Sequence, residues 1–70
     1  MLPLAFADPG EDYIIKKIGG SAATKKHLEN LGFIPGGEVT VINTINGNLI
    51  VKVKECRVAI SVEMAQKIMV

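Results

Sequence analysis

Cysteine is almost missing from this 70-residue sequence, with Cys56 the only one. An internal disulfide is therefore excluded, and the composition suits a reducing compartment, so a cytoplasmic location is expected. Tryptophan is absent, and Phe6, Tyr13 and Phe33 are the only aromatic residues. That argues against a groove for proline-rich peptides, which aromatic side chains line. It also leaves few platforms on which the bases of a single-stranded nucleic acid could stack. Neither charge sign dominates: eight Lys or Arg stand against seven Asp or Glu, a net charge of +1. Nucleic-acid binding by release of phosphate counterions needs a larger cationic excess, so no nucleic-acid partner is expected. No apolar run approaches the roughly 20 residues that cross a bilayer. The short apolar start, Met1 to Ala7, has no basic lead and runs into Asp8-Pro9-Gly10. It does not read as a signal peptide, and no direct membrane insertion is expected.

The groups that carry chemistry are equally sparse. Nucleophilic catalysis needs a Ser or Cys within reach of an oriented base. The single histidine, His27, and Cys56 fall on different expected elements. Asp8, Glu11 and Asp12 cluster in a turn that reads as solvated, so no enzyme is expected. A metal site wants three or four ligands. His27 and Cys56 supply two at best, and Met1, Met64 and Met69 would add thioethers better suited to cuprous ions. The spacing thus supports neither ferrous iron nor another transition metal, and no cofactor is expected. Cys56 is expected to pack at a strand end, and His27 to lie on the polar side of a helix. Gly19-Gly20-Ser21 precedes that helix, but no Gly-Lys-Ser/Thr completes a phosphate loop, so nucleotide binding is not expected.

What the chain does have is apolar mass, 49% of its residues. Its length allows one domain, residues 1–70, held by apolar burial alone. Leu2, Leu4 and Phe6 alternate and suggest an extended lead-in. Asp12 to Ile18 reads as a strand ended by Gly19-Gly20. Ser21 can cap a helix that ends at Gly32, with Thr24, Leu28 and Leu31 on one face. Pro35-Gly36 predicts a type II turn. Glu38 to Ile45 and Asn48 to Lys54 alternate on either side of Asn46-Gly47, the signature of a type I′ hairpin. Val39, Val41 and Asn43 are assigned to one face of the first arm, and Thr40, Ile42 and Thr44 to the other. Val51 and Val53 are expected inside. After a reversal at Glu55-Cys56, Arg57 to Ser61 forms another strand. Ser61 caps a single helical turn, and Lys67 to Val70 closes the chain as a strand. The expected fold is mostly β: a small closed barrel of about five strands, one short helix in the N-terminal half and one helical turn near the C-terminus.

These residues resemble the FeoA family. Gly10-Glu11 leads into the first strand, and Leu28-x-x-Leu31-Gly32-Phe33-Ile34-Pro35-Gly36 with Val39-x-Val41 forms the middle. Val58-Ala59-Ile60-x-x-Glu63-x-Ala65-x-x-Ile68-x-Val70 makes the tail. The resemblance runs from Leu4 to Val70. It implies an SH3-like barrel and a small cytoplasmic accessory protein of bacterial ferrous-iron transport, without enzyme activity. It also implies a membrane partner, FeoB, which carries a GTPase domain. Where the family often has a doubled arginine, this chain has Lys25-Lys26-His27, and lysine lacks the planar fork of arginine. An alternative reading, also by resemblance, is an iron-sensing or metal-carrying module like the C-terminal barrels of iron-dependent repressors.

A surplus of apolar residues at the end of the helix, rimmed by lysines, completes the expectation. Leu28, Leu31, Phe33 and Ile34, with Lys25 and Lys26, are assigned to a partner-binding surface. Self-association is left open.

Overall fold

Asn46-Gly47 organises the centre of the fold. Both residues take positive φ, 49° and 80°, as a type I′ turn requires. They join β3 (Glu38–Ile45) to β4 (Asn48–Val53) in an antiparallel hairpin. In this computed structural model, which describes residues 1–70, the hairpin is the middle of a four-stranded antiparallel sheet. β1 (Asp12–Ile14) flanks β3, and β5 (Cys56–Ser61) flanks β4. A second, two-stranded sheet pairs β2 (Lys17–Ile18) with β6 (Ile68–Met69). The helix α1 (Ala22–Leu31) links β2 to β3, and a single turn, α2 (Val62–Ala65), links β5 to β6.

Several expectations change. The segment around Leu2, Leu4 and Phe6 is not extended throughout, because Leu4–Phe6 forms a 3₁₀ turn that buries Leu4 and leaves Phe6 outside. The strand expected over Asp12 to Ile18 is two strands in two sheets. At Ile15 the backbone leaves β3 and bonds the turn after α1: its amide donates to Gly37 and its carbonyl accepts from Gly36, at 2.9 and 2.7 Å. One residue later the amide of Lys16 donates to Met69. Finally, a β-bulge at Ile42 shifts the register of β3, so that Thr44 rather than Asn43 faces the inward Leu49.

The second hairpin turns at Lys54-Glu55, one residue earlier than expected, and both residues take positive φ without glycine. Cys56 accordingly begins β5.

The core has 15 buried apolar residues. Val39, Val41, Leu49, Val51, Val53 and Ile60 come from the inward face of the large sheet, Ile18 and Ile68 from the small one, and Val70 from just beyond β6. Leu28 from α1, Phe33 from the turn after it and Ala65 from α2 join the same core. No polar side chain is buried, so no orphaned donor or acceptor opposes this burial.

Candidate functional site

Two local motifs shape the region to which partner contact was assigned. Ser21 adopts extended backbone and its hydroxyl accepts the amide of Thr24 at 3.2 Å, which starts α1. At the other end Gly32 is left-handed, with φ 109°. Its amide donates to Glu29, while the amide of Phe33 donates to Leu28, each at 3.0 Å. This pair of bonds is the Schellman motif, and it characteristically brings the apolar residue after the glycine onto the residue four before that glycine, here Leu28.

The outcome corrects the expected apolar patch. Leu28 and Phe33 are both fully buried, so their side chains offer nothing to a partner in this conformation. The Schellman turn folds Phe33 inward, and the apolar residues that the chain leaves outside are others, Leu2 and Phe6 among them. Leu31 and Ile34 are half-buried, and Lys25 and Lys26 are exposed. These four remain at the surface where α1 ends and the Pro35 turn begins.

The structure also separates the metal candidates. His27 is exposed on α1, and Cys56 is an exposed free thiol at the start of β5, not a packing residue. No group of three or more His, Cys, Asp or Glu is arranged around a common point.

Two depressions lie on the surface. One, on the outer face of the large sheet, has a volume of about 360 Å³ and is lined by Asp12, Glu38, Thr40, Lys52, Lys54 and Glu55. The Thr40 hydroxyl donates to the Asp12 carboxylate across the β1–β3 pair, which fixes one wall. Its lining contains no apolar residue and mixes both charge signs.

The other lies between β2, α1 and the Pro35 turn and has a volume of about 300 Å³. Lys16, Lys17, Lys25 and Glu29 line it with Ile18, Phe33 and Pro35. Of the residues singled out from sequence, this cleft gathers Lys25 and the buried Phe33, and it omits Lys26, Leu31 and Ile34. Lys16 and Lys17 belong to the run Asp12 to Ile18, which reads from sequence as one strand. Only the switch of sheet at Ile15 turns them toward α1, and no sequence pattern announces that switch.

The large apolar side chains that are exposed lie elsewhere. Phe6 is 68% exposed, Ile14 and Ile45 close to half, and Met1, Leu2 and Ile42 complete the group. No helix is long and apolar enough to cross a membrane.

Comparison with known proteins agrees with this architecture. A model of the FeoA domain matches residues 2–70. The chain is 40% identical, over its whole length and 85% of the relative's, to the "Putative Fe(2+) transport protein A" of Methanocaldococcus jannaschii. Among solved structures, an iron uptake regulatory protein (FeoA) superposes with a TM-score of 0.90 at 28% identity, over 97% of this chain and 92% of that one. Stenotrophomonas maltophilia FeoA complexed with zinc, described as a procaryotic SH3 domain protein, superposes with a TM-score of 0.84 at 20% identity. That match covers 99% of this chain and 88% of the other, and it carries the SH3-like fold alone.

Proposed function

The chain belongs to the FeoA family, and from that premise we propose that it is a non-enzymatic accessory protein of ferrous-iron uptake. Its partner is a FeoB-like membrane transporter, and it docks on the cytoplasmic part of that transporter. By binding one conformation of the partner more tightly than another, it biases assembly, nucleotide turnover or gating. A ligand with equal affinity for both conformations would shift nothing, so this differential is the substance of the mechanism.

The observation that carries the reading is full-length similarity to a protein named for Fe(2+) transport. The surface left at the end of α1 supports it. Leu31 and Ile34 are half-buried apolar residues flanked by the exposed Lys25 and Lys26. An apolar centre with a charged rim is the usual anatomy of a protein contact, though here the area is small and suits a transient one.

Calorimetric titration of the chain into the GTPase domain of the transporter, with GDP and with a GTP analogue, tests the proposal. Saturable binding supports the partner, and a difference between nucleotides supports the bias toward one state. Absence of heat with either nucleotide removes the GTPase domain as the docking site.

A further inference from the structure

We propose that the lysine-lined cleft between β2, α1 and the Pro35 turn is a docking groove for a short acidic peptide segment of the partner protein. This deepens the docking reading above, and rests on it for the owner of the segment but not for the chemistry of the groove.

The charge distribution is the first argument. The chain as a whole is within one charge of neutrality. The cleft nevertheless brings together Lys16, Lys17 and Lys25 against the single carboxylate of Glu29. Lys16 lies in the connection from β1, Lys17 on β2 and Lys25 on α1, and only tertiary structure brings the helix cation to the other two. Cations converging on a concave surface attract anions more strongly than the same cations spread over a convex one.

The kind of anion follows from what the cleft lacks. Phosphate sites commonly add to their lysines unpaired backbone amides at a glycine turn or helix start, or the arginine fork. Here neither the Gly19-Gly20 turn nor Ser21 to Thr24 at the start of α1 lines the cleft. The only arginine, Arg57, lies on β5. Three ammonium groups on flexible stems suit carboxylates at loose spacing, which an acidic peptide supplies. Glu29 opposes a densely charged phosphate and yet accepts an amide N–H from a peptide backbone. Exposed Pro35 at the rim adds apolar surface for the methylenes of acidic side chains. At about 300 Å³ the cleft has room for two or three side chains of an extended segment.

The test titrates an octapeptide of alternating glutamate and glycine into the isotopically labelled full chain and follows the amide signals. Expected shifts map to residues 16–18, 25, 29 and 33–35. Saturation should weaken when ionic strength rises from about 0.1 M to about 1 M, since the screening length falls from roughly 10 Å to roughly 3 Å. The double variant Lys16→Glu/Lys25→Glu should lose roughly tenfold or more in affinity. The double variant Lys52→Glu/Lys54→Glu changes net charge equally on the outer sheet face and should stay within about twofold of the parent. Equal losses in both variants, shifts mapping elsewhere, or tripolyphosphate competing more tightly than the peptide would each overturn the groove. The same variants titrated into the transporter's GTPase domain separate the two proposals. If the parent binds and Lys16→Glu/Lys25→Glu binds equally well, the groove fails and docking stands. If the parent does not bind, docking on that domain fails, and the peptide titration still decides the groove.

Discussion

The amide of Phe33 donates a 3.0 Å hydrogen bond to the carbonyl of Leu28, and both side chains are fully buried. That single bond spans the left-handed Gly32 and turns the chain back on itself just as α1 ends. It converts what would be a hydrophobic tip into a lid over the core. The surface beside it is consequently made by the residues that the turn leaves outward: Leu31, Ile34 and the lysines.

The two phenylalanines should respond oppositely to truncation. Phe33→Ala is expected to cost about 3–5 kcal/mol, from lost burial and the cavity left behind. A chain of this size commonly has only about that much in total, so the variant should be largely unfolded. Phe6, 68% exposed, should cost less than about 0.5 kcal/mol when changed to alanine. Denaturant unfolding followed by far-UV circular dichroism checks both.

Leu31→Asp and Ile34→Asp separate contact from packing at the end of α1. Both positions are half-buried. Each variant should keep a dispersed amide spectrum and lose roughly tenfold in affinity for the transporter domain, about 1.4 kcal/mol. Undiminished binding by both variants would remove this surface from the docking reading.

The glycine turns make a graded pair. Gly36 sits at φ 88° in open surroundings, where an added methyl would meet nothing within 4 Å, so Gly36→Ala should cost about 1–2 kcal/mol of backbone strain alone. Gly20, at φ 95°, would additionally press a methyl to within 3.1 Å of the Lys67 stem and 3.3 Å of Thr24. Gly20→Ala should therefore destabilise at least as much as Gly36→Ala. Thermal melts of the two variants side by side give the order.

Ser61 ends β5 and caps α2, its hydroxyl accepting the amide of Met64 at 3.2 Å. Ser61→Ala should cost about 1 kcal/mol, and Ser61→Asp should restore most of it. Chemical denaturation midpoints provide the comparison.

Cys56 is exposed and free. One equivalent of a thiol reagent should be consumed by the native protein, at a rate that added denaturant below the transition leaves nearly unchanged. A rate rising with global unfolding would mean the thiol is shielded after all.

Local chemistry in the sequence announced most of the elements. Ser21 and Gly32 bounded α1, Asn46-Gly47 fixed the central hairpin, and Ser61 started α2, because each of these residues satisfies a backbone requirement within a few positions of itself. What the pattern left hidden depended on distant partners. Asp12 to Ile18 alternates as one strand, yet Ile15 is claimed by Gly36 and Gly37, some 20 residues on, and Lys16 by Met69 at the far end. The bulge at Ile42 likewise answers to its partner strand. Phe33 is the instructive case for the candidate site. The run Leu28-x-x-Leu31-Gly32-Phe33 already contains the Schellman signature, in which an apolar residue directly after the capping glycine packs inward. Counting apolar residues against chain length pointed outward, and the local motif was the better guide. The lysine cleft had no such signal, because its members meet only after the chain changes sheets.

The amide of Leu2 donates to Val70 at 2.9 Å and the amide of Val70 to Leu2 at 2.8 Å. Pro3 bridges Met69 beside them. In polymer terms the backbone is a nearly closed ring, and this seam joins its two most distant points along the contour. Closing a loop of that length carries the largest entropic penalty of any contact in the molecule, although the penalty grows only with the logarithm of length. The central hairpin can zip within a few residues, whereas the seam needs the whole intervening chain to be compact first. Assembly should thus proceed from the middle outward, with β2 and β6 among the last parts to settle.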